Sequence, residues 1–315
     1  MRKHKVIIVP IVVLFALLLL KDMLAKSAVT LVAQDLTGAA VRISGFSLGI
    51  FRHSVSITGL RVYNPKGFPK GIMLDMPKIK VDYNLADLLK GKIHLAKAEL
   101  RLKELSLIRN NRGVLNVDSL KVSGREEITT EKPKKETQFK IDELKLGIGR
   151  IVHKDYSADS QEPVVLVHDI NLDKTYKNIT GIRQLTLLIL VEPMKAAAIE
   201  GTVVYGVSAL AGVAALPVAV AAKFVGKDYA QAPFKANPQY LYDLSLQVVK
   251  RIGKVTKENA AERIIAAGVY GADIELKIKK ISDNTSQILI SARRYLLPKP
   301  EIAAGILYQI QEELK

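Results

Sequence analysis

The chain contains no cysteine and no tryptophan, and only 6% of its 315 residues are aromatic. Without cysteine there are no disulfides, no thiolate metal ligands, no cysteine nucleophile and no lipid-modified N-terminal cysteine. The shortage of aromatics argues against stacking platforms of the kind that hold single-stranded nucleic acid. Acidic residues are also in deficit, with 31 Asp and Glu against 47 Lys and Arg and a net charge of +16. Such an excess favours polyanions, either nucleic acid or anionic lipid headgroups. The basic residues are mainly lysines spread through strand-like stretches, with no helix-turn-helix or zinc pattern beside them. The sequence therefore points to a lipid surface and to no nucleic-acid partner.

What the chain does have is long apolar runs. Met1 to Lys5 is a basic head, and Val6 to Leu20 is an unbroken apolar run of fifteen residues that ends at Lys21-Asp22. A spanning helix needs about 17–25 residues, a length reached if Lys5 and Lys21 snorkel and Met23 to Ala25 extend the helix. The positive-inside rule keeps the head in the cytoplasm and exports the rest. The alternative is a cleaved signal peptide, but Ala25-Lys26-Ser27 is a poor cleavage site, so residues 1–26 read as an uncleaved membrane anchor.

From Val41 to about Leu120 apolar and polar residues alternate, as in Val41-x-Ile43, Val55-x-Ile57, Ile79-x-Val81-x-Tyr83 and Leu100-x-Leu102. Period two means strands with one wet and one apolar face. Turn chemistry separates them, at Asn64-Pro65-Lys66-Gly67, Lys90-Gly91-Lys92 and Asn110 to Gly113, which predicts an antiparallel meander. Asn84 to Gly91 predicts a short helical insertion with Asn84 as its N-cap. Residues 124–138 carry mixed charge and almost no large apolar side chain, the composition of a solvated linker. Beyond it the alternation resumes through Phe139-x-Ile141 and Val165-x-Val167, with a turn over Ser157 to Pro163, so the β-rich domain runs from 27 to 184.

Residues 185–228 form an apolar helical segment. Gly201 to Ala222 carries no charge at all, but it is rich in Ala, Gly and Val and holds Pro217. It reads equally as a second transmembrane helix and as an apolar helix packed on protein. Residues 229–315 have ordinary globular composition and the order β-α-β-β-β-β-α, a small α+β domain. Asn237-Pro238 opens its first helix, and Ile302, Ile306, Ile310 and Leu314 mark its last. The fold class is thus α+β: an N-terminal transmembrane helix, an antiparallel β meander or groove, then a small α+β sandwich.

The chemistry of a reaction centre is sparse. His4 precedes the anchor, and His53 and His94 are isolated in strand-like contexts. His153 and His168 flank one predicted hairpin near Asp155 and Asp169. If paired, they could form a metal site with a carboxylate, though solvated or hydrogen-bonded strand histidines are much commoner. Gly147-Ile-Gly149-Arg150 lacks the third glycine and following helix of a nucleotide loop, and no Walker A, H-E-x-x-H or EF-hand pattern occurs. The sequence predicts no catalytic residues, cofactor or metal.

Three stretches, Gly59 to Pro69, Asp87 to Ile93 and Ile108 to Asp118, carry in order an Asn-Pro-x-Gly-Phe turn, a Leu-Leu-x-Gly helix end and an Asn-x-x-Gly-x-x-Asn run. Over residues 1–200 this resembles the N-terminal region of AsmA-like (AsmA/TamB-type) proteins of diderm bacteria. The resemblance implies a protein anchored in the inner membrane, with a lipid-accommodating β-groove in the periplasm. It also implies phospholipid or another acyl lipid as partner and a part in lipid transport and outer-membrane biogenesis. The residues that carry it, Asn64, Pro65, Gly67, Phe68, Gly91, Asn110, Gly113 and Asn116, are read as structural. Residues 229–315 are more loosely similar to a small bacterial lipoprotein domain of unknown function. A different expectation is an envelope interaction module, in which the C-terminal domain docks a protein partner and the β region is a spacer.

Overall fold

A computed structural model describes residues 21–35, 37–49, 51–120, 138–157, 162–181, 184–185, 188–190, 193–194 and 229–314. The architecture is α+β and mostly β. No helix among the described residues is long and apolar enough to cross a membrane. The predicted anchor run Val6 to Leu20 and the uncharged stretch Gly201 to Ala222 lie outside those residues, as does nearly all of the 124–138 linker.

Helix α1 occupies residues 21–35. It crosses the boundary drawn at residue 26 between anchor and β-rich domain. The first sheet follows, with strands β1 (Val41–Gly49), β2 (Ser54–Tyr63) and β3 (Ile72–Tyr83), helix α2 (Leu85–Leu89), and strands β4 (Ile93–Arg109), β5 (Phe139–Asp155) and β6 (Val164–Ile179), in sheet order 1 to 6. The expected helical insertion is α2, whose N-cap Asn84 side chain accepts from the Asp87 N–H, with Gly91 at φ 74° beyond its end.

One expectation is corrected. The sheet is not an antiparallel meander throughout, because β4 and β5 pair in parallel, Ile93 beside Phe139 through Arg109 beside Asp155. A parallel pair needs a crossover long enough to return the chain to its starting end, and residues 110–138 supply one. Apolar alternation fixes the face of a strand but not its direction.

Helix α1 covers the free edge of β1. Lys21 Nζ donates to the Leu48 carbonyl, the Leu48 N–H donates to Asp22 Oδ1 (2.8 Å), and Lys26 Nζ donates to the Ser44 carbonyl (3.1 Å). Backbone groups that would otherwise invite another strand are thereby capped by side chains. The helix runs opposite to β1, so its first residues lie at the end of the sheet that carries the β1–β2 turn. This is the near end.

The second sheet contains β7 (Tyr229–Phe234), then helix α3 (Pro238–Ile252) and strands β8 (Gly253–Asn259), β9 (Ile264–Val269), β10 (Ala272–Ser282), β11 (Thr285–Arg294) and β12 (Leu297–Pro298), followed by helix α4 (Pro300–Glu313). Strands β8 to β12 pair as successive neighbours, and β7 pairs with β11. Asn237 caps α3 by accepting from the Gln239 N–H at 2.8 Å. Leu241, Val249, Leu276, Ile290, Ile306 and Ile310 make a fully buried core between the sheet and the two helices.

The two sheets are docked. Helix α4 lies across β6 so closely that a Cβ on Gly305 would overlap the Val165 carbonyl oxygen. Val152, Val165 and Val167 close on Tyr308. The Tyr308 ring sits under Arg150 and Lys154, 5.3 and 5.1 Å from its centroid, and its hydroxyl donates to Glu104 Oε1 (3.4 Å). Tyr270 donates to the Pro163 carbonyl (3.1 Å), and Arg251 pairs with Glu162 (3.2 Å).

Candidate functional site

The apolar alternation of β1 to β6 collects on one face of the first sheet, the inner face. Its core comprises Val41, Leu74, Leu100, Leu102, Leu105, Leu107, Leu144, Leu146 and Ile148, among others. The outer face carries the lysines and ion pairs, including Lys78–Glu99 (3.1 Å) and Arg150–Glu104 (2.6 Å). A sheet with one oily face must cover it. Here the chain supplies part of the cover: Ala33 of α1, Val117 and Leu120 after the crossover begins, and Leu188, Leu190 and Met194 all pack into the cluster.

Among the described residues the cover is incomplete. Leu60, Ile79, Val81, Leu95 and Phe139 line the same face but are only partly buried. Val81 lies beside Ala98, Tyr83 beside Leu95, and Leu95 beside Ile141, so the half-covered strip runs towards the near end. At that end a pocket of about 520 Å³ opens between His53, Tyr83, Leu85, Ala86, Leu89 and Ala96. The strip suits flexible hydrocarbon, since it offers apolar area, while His53, Tyr83 and Asn84 add polar groups to the pocket lining.

A polar staple closes the near end. His94 Nδ1 is 2.7 Å from Asp87 Oδ2, and His94 Nε2 is 2.8 Å from Asp142 Oδ2. The first of these hydrogen bonds, then the second, raises the His94 pKa above its ordinary value, while Lys140 and His94 hold the Asp142 carboxyl below the usual range. The staple ties α2, β4 and β5 together. No sequence signal announced it, because parallel pairing is what brings Asp142 beside His94.

At the far end the two candidate histidines do approach one another. His153 lies opposite Leu166 and His168 opposite Ile151, diagonal neighbours on β5 and β6. Burial lowers both pKa values, so both rings favour the neutral form. Asp155 is drawn instead to Arg109 (3.9 Å) and to the Ser157 N–H (2.8 Å). Among the described residues no three His, Asp or Glu side chains are grouped to hold a metal. The spacing G-x-S-x-G occurs at Gly45 to Gly49, yet Ser47 sits mid-strand opposite Ser56 and not on a strand-to-helix turn, so it is not a nucleophile elbow.

The motif residues have structural surroundings. Asn64 Nδ2 donates to the Pro69 carbonyl (2.8 Å), and Pro65 is buried while Phe68 is half-buried. Asn110 Oδ1 accepts from the Arg112 and Val114 N–H groups, both at 3.0 Å. Gly67 and Gly113 adopt φ of 92° and 77°, which only glycine takes without strain. Two motifs meet directly. Buried Asn116 donates through Nδ2 to Asn64 Oδ1 (2.9 Å) and to the Ser106 carbonyl (2.8 Å), and its Oδ1 accepts from the Ile108 and Val117 N–H groups. Gly91 belongs to the other end of the sheet.

No protein-family model matches the chain, and no curated protein matches it.

Proposed function

We propose that this chain is a non-enzymatic, membrane-anchored envelope protein of AsmA-like type that holds phospholipid acyl chains on the inner face of its first sheet. The half-covered strip formed by Leu60, Ile79, Val81, Leu95 and Phe139 carries the reading, because solvent-facing apolar area beside a buried core is costly unless something apolar occupies it. The anchor is Val6 to Leu20, and the β-rich domain lies in the periplasm. Docking of α4 on β6 supports a single crossing, since it requires both ends of the stretch 201–222 to reach the same side of the membrane. Full-length protein extracted in mild detergent is expected to retain stoichiometric phospholipid, and stripping that lipid lowers its thermal stability. Lipid-free protein of unchanged stability overturns the reading.

A second reading, an interaction module, is favoured by one observation. Tyr295 and Leu296, 93% and 88% exposed, occupy a turn with φ of 49° and 69°, conformations that bulky side chains rarely adopt. In that case Tyr295→Ser with Leu296→Ser abolishes crosslinking of the full chain to an envelope protein while leaving retained lipid unchanged.

A further inference from the structure

At its near end the first sheet carries a group of exposed apolar side chains. Phe51 is 96% exposed at the β1–β2 turn, Leu89 is 80% exposed on α2, and Leu85, Leu88 and Ile93 stand beside them. Two separate connections of the chain, β1–β2 and β3–β4, therefore present apolar residues at the same end of the sheet. They are held together as a unit: the Tyr83 N–H donates to the His53 carbonyl (2.8 Å), and the Asn84 N–H donates to the His94 carbonyl (2.9 Å).

Two further observations say what covers this surface. The first is where the chain comes from. Helix α1 begins at the same end, with Asp22 bonded to the Leu48 N–H, and the residues immediately before it in sequence are the apolar run Val6 to Leu20. The second is charge. Arg52, Lys90 and Lys92 are exposed on the same connections as the apolar residues. Asp22, Asp87 and Asp142 are engaged by Lys21, His94 and Lys140 within the fold. Apolar side chains ringed by lysine and arginine next to a membrane anchor match a bilayer interface with anionic phosphates. A strand of 17 residues spans about 55 Å, which keeps the docked C-terminal domain well clear of that surface.

The geometry points to a bilayer-seating surface formed by Phe51, Leu85, Leu88, Leu89 and Ile93, with Arg52, Lys90 and Lys92 meeting the headgroup phosphates of the membrane that holds the anchor. This rests on the anchored reading above. It adds that the sheet stands on the membrane by its near end, so the half-covered strip opens next to the lipid.

The absence of cysteine allows a direct test, because Phe51→Cys, Leu89→Cys and Tyr295→Cys each place one thiol at an exposed site. Each full-length variant is labelled with an environment-sensitive fluorophore. It is then reconstituted in vesicles of phosphatidylethanolamine with one quarter phosphatidylglycerol, with and without brominated acyl chains. Brominated lipid is expected to quench the labels at 51 and 89 by more than half and to leave the label at 295 unchanged. Protein that floats with the vesicles while 51 and 89 respond like 295 overturns the seating surface alone. Protein that does not float overturns the anchor as well. A blue shift at 51 that grows with protein density and is insensitive to brominated lipid marks a contact between two copies, and also overturns the proposal.

Discussion

The two sheets are built from the same alternation of apolar and polar residues, yet they solve the problem of the oily face differently. The second sheet is complete in itself: α3 and α4 lie on it, and Leu276, Ile288 and Ile290 are wholly buried. Among the described residues the first sheet uses short pieces, Ala33, Val117, Leu120, Leu188, Leu190 and Met194, with Ile79, Val81 and Leu95 half covered. Alternation alone therefore does not say how fully an apolar face is covered. The supply of covering helices does.

The comparison breaks most sharply under a buried charge. Leu276→Asp places a carboxylate in a closed core and is expected to cost about 4 kcal/mol or more, unfolding the C-terminal domain. Leu95→Asp, on the half-covered strip, is expected to cost about half as much or less and to lower retained phospholipid. Equal destabilisation by chemical denaturation, with lipid unchanged, shows the strip to be an ordinary core. Next in size is Asn116→Ala. It strands the Ile108 N–H, the Ser106 carbonyl and its other buried partners, at about 3 kcal/mol. Asn64→Ala, which removes only one of those bonds, is expected to cost about 1 kcal/mol.

Gly305→Ala tests the joint between the sheets. Its methyl would overlap the Val165 carbonyl, a backbone atom that cannot rotate away, so about 1–3 kcal/mol is expected to fall on docking and not on either core. Calorimetry of the variant is expected to show two separate transitions where the native chain shows one. A single transition shifted as a whole shows that the sheets do not depend on this contact.

Much of this was legible in the sequence, for identifiable reasons. Period two located the strands, and Asn84, Gly91, Asn237 and Pro238 located three helix ends, because capping and positive φ are local requirements. Long-range pairings were not legible. The Asn64–Asn116 bond joins residues 52 positions apart, and the parallel β4–β5 pair depends on a crossover whose composition only says that it is polar. Helix α1 was not separated from the anchor in the sequence because its packed face, Ala25, Val29 and Ala33, is short and small, and its other contacts come from Lys21, Asp22 and Lys26 capping a strand edge. The His94 staple follows from the parallel register and was hidden with it.

The smallest effect compares the two ends of the first sheet through their histidines. His94 is charged more readily in the fold than in the unfolded chain, because Asp87 and Asp142 hold its two N–H groups. Its contribution is therefore fully present below about pH 6.5 and is lost as pH rises through its higher folded value. His153 and His168 behave oppositely. Burial lowers their pKa values, so the unfolded chain binds protons more readily, and stability rises with pH until about 6.5 and then levels. Together they place a shallow stability maximum near that pH. His94→Gln is expected to flatten only the limb above it, and His153→Leu to reduce only the slope of the limb below it. The His94 effect is modest because water reaches the staple: about a quarter of the His94 side chain is exposed. Denaturant titrations at closely spaced pH values separate the two limbs. If His94→Gln alters the acidic limb instead, the imidazole is not held as a cation between the two aspartates, and α2 is tied to β5 by some other means.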